Sequence, residues 1–151
     1  VVNKWDMIKD RKQVLRVLAD RLERSLPQVR GLLIVTLSAK TGASTKTLMP
    51  AVLQAYDTWN RRLSTSKLNR WLDNILAHHP PPAVSGRRIK LRYITQIKSR
   101  PPTFALFVNT PEGLPDSYSR YLMNKLREDF DLPGTPIRIH LRKGKNPYVD
   151  G

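Results

Sequence analysis

The sequence predicts an α/β segment followed by an α+β unit. Two short apolar runs, each followed by a helical pattern, give the order β-α-β-α, which is typical of an open parallel sheet. Farther along the chain, two helical patterns alternate with three strand patterns in the order α-β-β-α-β. With 151 residues, the chain has room for one ordinary domain or for two small units. Because residues 61–65 are polar, we place one unit at 1–62 and the other at 63–151.

The first unit is predicted from its apolar runs and its helix signals. Residues 1–2 are typical of the end of a buried strand, and the run 32–37 suits a parallel strand covered on both faces. Between these runs, Asp10 is predicted to cap a helix that Pro27 ends. Two strands do not form a parallel sheet alone, so this unit is expected to be part of a larger domain.

A second helix of the first unit is predicted to begin at Ser44, with Pro50 in or near its first turn. Helical spacing gathers five apolar residues on one face, and we expect that face to point inward. These residues are Leu48, Val52, Leu53, Tyr56 and Trp59.

The second unit is predicted to begin with a helix that Ser64 or Thr65 caps and that three prolines end after residue 79. Its inward residues at helical spacing are Leu68, Trp71, Leu72, Ile75 and Leu76. Residues 89–97 then alternate between apolar and polar, which indicates a half-buried strand. The alternation places Tyr93 in the core and leaves Ile94 as the one apolar residue on the polar side.

The last three elements follow from the same patterns. Residues 104–108 are apolar on both faces, as in a central strand. A helix is predicted to begin near Ser117, and a final alternating strand covers 137–141. The inward residues of this helix are Tyr118, Leu122, Leu126 and Phe130.

The charge of the chain narrows the classes of partner. There are 27 Lys and Arg residues against 12 Asp and Glu residues, which gives a net charge of +15 and a pI near 10.7. This excess is greater than solubility requires, so it favours a nucleic-acid partner. A membrane surface is less favoured, because the basic residues do not line one amphipathic helix.

Cysteine content and hydropathy exclude two further classes of site. The chain has no cysteine, so disulfides and thiolate metal sites are excluded, which fits a reducing cytoplasm. No apolar run approaches the roughly 20 residues of a membrane-spanning helix. His78 and His79 have no further ligand at suitable spacing, so a helix end is expected there and no metal site.

Two short motifs follow the predicted strands of the first unit. Residues 3–6 match the pattern N-K-x-D, and residues 38–40 read S-A-K. The Asp6 carboxylate can accept two parallel hydrogen bonds from the ring N–H and the amino group of guanine, a donor pair that adenine lacks. Both motifs follow the carboxyl ends of strands, where open α/β sheets bind ligands.

The pair of motifs resembles the guanine-specificity motifs of P-loop GTPases. The resemblance implies that Asn3 bridges the two loops, that the stem of Lys4 lies along the base, and that the backbone N–H of Ala39 meets the carbonyl oxygen of guanine. The implied guanine-binding set is Asn3, Lys4, Asp6, Ser38, Ala39 and Lys40.

The groups that would transfer a phosphoryl group are not found in the sequence. It contains neither G-x-x-x-x-G-K-[ST] nor a preceding D-x-x-G. No residue is therefore assigned to catalysis or to magnesium. We expect GTP or GDP and magnesium to bind a longer parent protein, and we expect this chain alone to be inactive and to hold no cofactor.

Longer stretches of the second unit carry a more specific resemblance. They include residues 60–62, 68–72, 79–82, 90–93, 101–104, 119–122, 124–128 and 134–137. In this order they resemble the Der/EngA family of ribosome-assembly GTPases, over residues 3–142. The resemblance implies the end of a second P-loop G domain followed by a KH-like domain. It implies a cytoplasmic, ribosome-associated parent whose partners are the large ribosomal subunit, its rRNA and the other G domains of the parent.

The KH-like unit departs from nucleic-acid-binding KH domains at one position. No two of its glycines stand three residues apart, so it lacks the G-x-x-G loop that grips an RNA backbone. Docking through basic side chains is the expectation that remains, either to rRNA or to another domain of the parent. The candidate docking residues are Arg88, Lys90, Arg92, Arg138, Arg142, Lys143 and Lys145. A stand-alone RNA-binding protein and an interdomain scaffold without nucleotide function are the alternatives.

Overall fold

A computed structural model describes residues 1–86 and 88–144, and Lys145 therefore lies outside the described residues. Within these ranges the chain forms four α-helices and one three-stranded sheet. In chain order the elements are α1 (Arg11–Ser25), α2 (Leu48–Asn60), α3 (Thr65–His78), β1 (Leu91–Lys98), β2 (Thr103–Val108), α4 (Asp116–Asp129) and β3 (Arg138–Lys143). The predicted order α-β-β-α-β of the second unit is confirmed.

The sheet has the order β1-β2-β3, with β1 antiparallel to β2 and β2 parallel to β3. A parallel pair requires a crossover, and α4 supplies it. Helices α3 and α4 both bury apolar residues in the core, against the same side of β2. The most deeply buried core residues include Leu68, Phe104, Leu106, Leu122 and Leu126. The opposite side of the sheet carries no residue of this core cluster, and we call it the open sheet face.

Two helix starts follow the capping chemistry that the sequence predicted. The Asp10 carboxylate accepts a hydrogen bond from the backbone N–H of Gln13 at 3.0 Å. The Ser64 hydroxyl accepts one from the backbone N–H of Lys67 at 3.4 Å. Each bond satisfies a donor that has no partner within its own helix. Pro50 is the third residue of α2, where the missing N–H costs no helical hydrogen bond.

A one-residue bulge in β1 overturns the predicted alternation. Leu91 pairs with Val108, but Tyr93 pairs with Phe107, so Arg92 is an extra residue in β1. A single extra residue exchanges the faces of the residues that follow it, here as far as Gln96, after which the register shifts a second time. Ile94 is therefore fully buried, whereas Tyr93 keeps 41% of its surface exposed. The prediction that Tyr93 lies in the core and Ile94 on the polar side was wrong.

Side chains from the helix and from the strand itself stabilise the shifted register. The Asn69 amide on α3 donates to the backbone C=O of Ile94 at 2.9 Å and accepts from its N–H at 3.0 Å. Gln96 is buried, and its amide accepts from the N–H of Leu63 at 2.7 Å and donates to the carbonyl oxygens of Arg61 and Lys98. Buried polar groups are tolerated when they are paired in this way.

The first unit has less regular structure than the sequence predicted. Its two apolar runs do pair in parallel, but through a single bridge between Val2 and Thr36. The apolar face of α2 does not point inward. Val52, Leu53 and Tyr56 are about half exposed, because no sheet covers them within the described ranges.

Backbone and guanidinium contacts join the two units. The N–H of Gly134 donates to the carbonyl oxygen of Arg30 at 2.7 Å. Gly134 has a φ of 63°, and a Cβ built on it would lie 3.2 Å from the carbonyl oxygen of Gly31, so the backbone conformation and the close approach both favour glycine. The buried Arg127 guanidinium donates to the carbonyl oxygen of Gln28 at 2.8 Å. Burial, together with the charge of Arg30, lowers the pKa of Arg127.

The bulge predicts that Ile94 contributes more to stability than Ile97. An uninterrupted alternation of faces would predict the opposite. Ile94→Ala should lower the free energy of unfolding by about 2–5 kcal/mol, because it leaves a cavity in the core. Ile97→Ala, a matched change at a partly exposed position of the same strand, should cost less than about 1 kcal/mol. Urea denaturation measures both values. Equal costs, or a larger cost at Ile97, would contradict the shifted register.

Candidate functional site

The predicted guanine-reading loops begin side by side. The N–H of Val2 donates to the carbonyl oxygen of Val35 at 2.7 Å, and the N–H of Leu37 donates to that of Val2 at 3.0 Å. Three residues after Val2, the N–H of Trp5 donates to the carbonyl oxygen of Leu37 at 3.1 Å. This parallel pairing brings the loop at residues 3–6 and the loop at residues 38–43 to the same edge.

The side chain of Asn3 links these loops directly. Its Oδ1 accepts hydrogen bonds from the N–H of Lys4 at 2.7 Å and from the N–H of Ala39 at 3.0 Å. Lys4 has a φ of 61°, a left-handed conformation that is uncommon outside glycine. The strained residue thus lies where the two motifs meet. The Ala39 N–H, which the resemblance assigned to the base, donates here to Asn3.

The remaining residues of the predicted set occupy two different environments. Asp6, in a short 3₁₀ turn, is exposed, as are Lys4 and Lys40, so these side chains are accessible to a ligand. Ser38 is buried, and its Oγ accepts a hydrogen bond from the N–H of Thr41 at 3.3 Å. Ser38 therefore shapes the second loop from within.

Neither a metal cluster nor a membrane-spanning helix is found in residues 1–86 and 88–144. In these residues no group of three or more His, Asp and Glu side chains is placed to hold a metal ion. The ring of His78 bonds to the carbonyl oxygen of Asn74 at 2.8 Å, and that of His79 packs on Tyr121. Among the same residues, no helix has the length and apolar character needed to cross a membrane.

The open sheet face carries part of the predicted docking set. Arg138 and Arg142 pair with Thr103 and Phe107 on β2, and both arginines are exposed. They alternate with Ile139 and Leu141, which pack against the core. Arg92 lies on the same face. Its side chain and that of Phe107 are both about 4 Å from the position that a Cβ on Gly144 would occupy.

The other predicted docking residues lie elsewhere or at the margin. Lys143 pairs with the buried Val108, so its side chain belongs to the helix side of the sheet. Lys90 precedes β1, where its N–H donates to the side chain of Asn109. Arg88 lines a separate depression with Glu112. Of the predicted docking residues, only Arg92, Arg138 and Arg142 are therefore placed on the open sheet face.

Two aromatic side chains on the open sheet face were missed by the sequence patterns. Tyr93 and Phe107 are register partners on β1 and β2, and their ring centroids lie 5.8 Å apart. Tyr93 was assigned to the core because the alternation was extended through the bulge. Phe107 lay in a uniformly apolar run, which carries no signal of which face a residue occupies.

Comparisons with known proteins identify one matching family model and several similar proteins. The model of the KH-domain-like family of EngA bacterial GTPase enzymes, C-terminal, matches residues 62–142. Proteins named GTPase Der from Parvibaculum lavamentivorans and Mesorhizobium japonicum are each 56% identical, over 99% and 97% of this chain. The GTPase Der of Agrobacterium fabrum is 53% identical over 97%. The matched region is 32%, 31% and 31% of these relatives, so the chain spans about a third of their length.

The hydrogen bond from the Ala39 N–H to the Asn3 side chain should protect the Ala39 amide from hydrogen exchange. Asn3→Ala should speed exchange at the Ala39 amide by about 2- to 12-fold, the equivalent of a net hydrogen bond of about 0.5–1.5 kcal/mol. Asn3→Asp keeps an oxygen acceptor at the same position and should preserve the protection. Exchange followed by NMR resolves the single amide. Equal protection in the Ala and Asp variants would show that Asn3 does not hold the loops together.

Proposed function

Because the chain belongs to the KH-domain-like family of the EngA bacterial GTPases, we propose that it joins two functional parts of a large-subunit assembly GTPase. Residues 1–62 supply the base-reading part of a GTP site. Residues 63–151 form a KH-like module that docks on ribosomal RNA. The parent is a cytoplasmic, ribosome-associated protein with further G domains, and it hydrolyses GTP. The observation that carries the nucleotide proposal is the hydrogen bonding of Asn3 to both loops.

The residues at this edge fit a guanine base. The exposed Asp6 carboxylate offers two acceptor oxygens for the ring N–H and the amino group. The Lys4 side chain begins beside it, and its methylene stem can cover one face of the ring. When GTP is bound, these groups select the base, and Asn3 keeps the two loops at a fixed separation. Contacts to the phosphates and to magnesium come from other parts of the parent.

The docking proposal rests on the charge of the open sheet face. Arg92, Arg138 and Arg142 are exposed there, on a chain whose net charge is +15. Exposed guanidinium groups can bind phosphate oxygens, and such contacts with RNA release counterions. Since the unit lacks a G-x-x-G loop, this face replaces the usual KH grip on the backbone.

The base-reading role is tested by exchanging one acceptor for a donor. In a chain that also carries the phosphate-binding half of the site, Asp6→Asn should weaken GTP binding and favour xanthosine triphosphate, because xanthine has a carbonyl where guanine has its amino group. Asp10→Asn is the matched control: it removes the same charge nearby, and asparagine caps a helix equally well. A competition titration gives the preference. Retained GTP preference in Asp6→Asn would refute the role.

The docking role is tested by the salt dependence of binding to purified large ribosomal subunits. Replacing Arg92, Arg138 and Arg142 together with Gln should reduce the slope of log K against log salt by about 2–3, for three lost phosphate contacts. The control replaces three exposed basic residues of α1 with Gln: Arg11, Lys12 and Arg16. Both variants lose the same charge. If their slopes fall equally, binding responds only to net charge, and the open sheet face is not the RNA face.

A further inference from the structure

The open sheet face carries a row of side chains that charge alone does not explain. Tyr93, Phe107 and Arg142 lie side by side across the three strands, since Phe107 pairs with Tyr93 on one side and with Arg142 on the other. The two rings are tilted by 55° to each other. Tyr93 keeps 41% of its surface exposed, so its ring is accessible to a ligand.

A basic depression adjoins this aromatic row. It is lined by Ile97, Lys98, Arg100, Thr103, Arg138, His140 and Arg142, together with Pro101 and Leu141, and no carboxylate lines it. Arg142 belongs to both features. Thr103 is four residues from Phe107 along β2, so the far end of the depression lies about 13 Å from the aromatic row.

The combination of flat rings and positive charge selects among nucleic acids. Single-stranded nucleic acid exposes the faces of its bases, which stack on aromatic side chains, and its phosphates need cationic neighbours. A duplex offers the phosphates but hides the base faces within its own stack. Sheets that present aromatic residues on an open face are used elsewhere to stack two or three bases. The adjacent Arg142 can add a cation–π contact or stack on a base itself.

We propose that the row Tyr93–Phe107–Arg142 binds unpaired bases of RNA, while the basic depression binds the phosphates that follow along the strand. This assignment rests on the proposed RNA docking and narrows it: the target is an unpaired segment and not a helix. Because every base can stack on an aromatic ring, the row distinguishes unpaired from paired RNA and has little preference for one base over another.

The test compares two RNA probes on the 151-residue chain: a fluorescein-labelled ten-nucleotide oligouridylate and a labelled ten-base-pair RNA duplex. Tyr93→Leu removes the ring but keeps an apolar side chain, and Tyr93→Phe keeps the ring. Tyr93→Leu should weaken oligouridylate binding by about 5- to 150-fold, the loss of one stacked base. Tyr93→Phe should bind oligouridylate with an affinity within about twofold of that of the unsubstituted chain, since it loses only a hydroxyl. Duplex affinity should be the same for all three.

Tyr56→Leu is the matched control, because Tyr56 is an exposed tyrosine on α2, far from the sheet face in sequence and outside its strands. It should leave both affinities unchanged. Circular dichroism checks that each variant is folded, and Phe107→Leu repeats the test within the same row. An unchanged oligouridylate affinity in Tyr93→Leu and Phe107→Leu would overturn the proposal. An equal loss for duplex and single strand would do the same.

The outcome also separates this inference from the docking proposal. If the unsubstituted chain binds RNA with a steep salt dependence and the ring variants bind equally well, the docking role stands and only the stacking role fails. If the unsubstituted chain binds neither probe, the docking role fails as well. In that case, the partner of the open sheet face would be another protein domain and not RNA.

Discussion

The hydrogen bonds between the Asn69 amide and the backbone of Ile94 fix the arrangement on which the rest of the second unit depends. Both backbone groups of Ile94 are satisfied by a side chain from α3, which holds β1 in register beneath that helix. With Ile94 in place, Arg92 must be the extra residue, and the strand must change face between Leu91 and Tyr93. The core then gains a fully buried isoleucine, and the solvent side gains an exposed tyrosine.

This one change of face gives the small sheet two chemically different sides. The side beneath α3 and α4 is filled with aliphatic and aromatic residues and contains the buried, fully bonded Gln96. The open sheet face combines Tyr93 and Phe107 with arginines and carries no residue of the core cluster. The guanine-reading loops lie in the other unit, where Asn3 ties them together. The contacts of Gly134 with Arg30 and of Arg127 with Gln28 connect the two units.

Local signals in the sequence predicted much of this structure. The caps at Asp10 and Ser64, the helices and the order of helices and strands along the chain follow from capping chemistry and apolar spacing, which act over a few residues. The bulge at Arg92 could not be predicted in this way, because it depends on Asn69, which is 25 residues away from Ile94. The exposure of α2 escaped prediction for a related reason: an apolar stripe indicates that a helix has a partner but not where the partner is. The bonding of Ala39 to Asn3 required the spatial pairing of two loops 36 residues apart.

Binding of unpaired RNA at the open sheet face is tested most directly by photocrosslinking of single-stranded RNA to the chain, with the attached residues identified by mass spectrometry. Ultraviolet light joins bases only to side chains that they contact, so the sites report which face carries the RNA. Crosslinks should form at Tyr93 and Phe107 and should be abolished when a complementary strand is annealed to the RNA. Crosslinks that fall instead on the outer surfaces of α3 and α4, or that persist with the duplex, would contradict binding of unpaired RNA at this face.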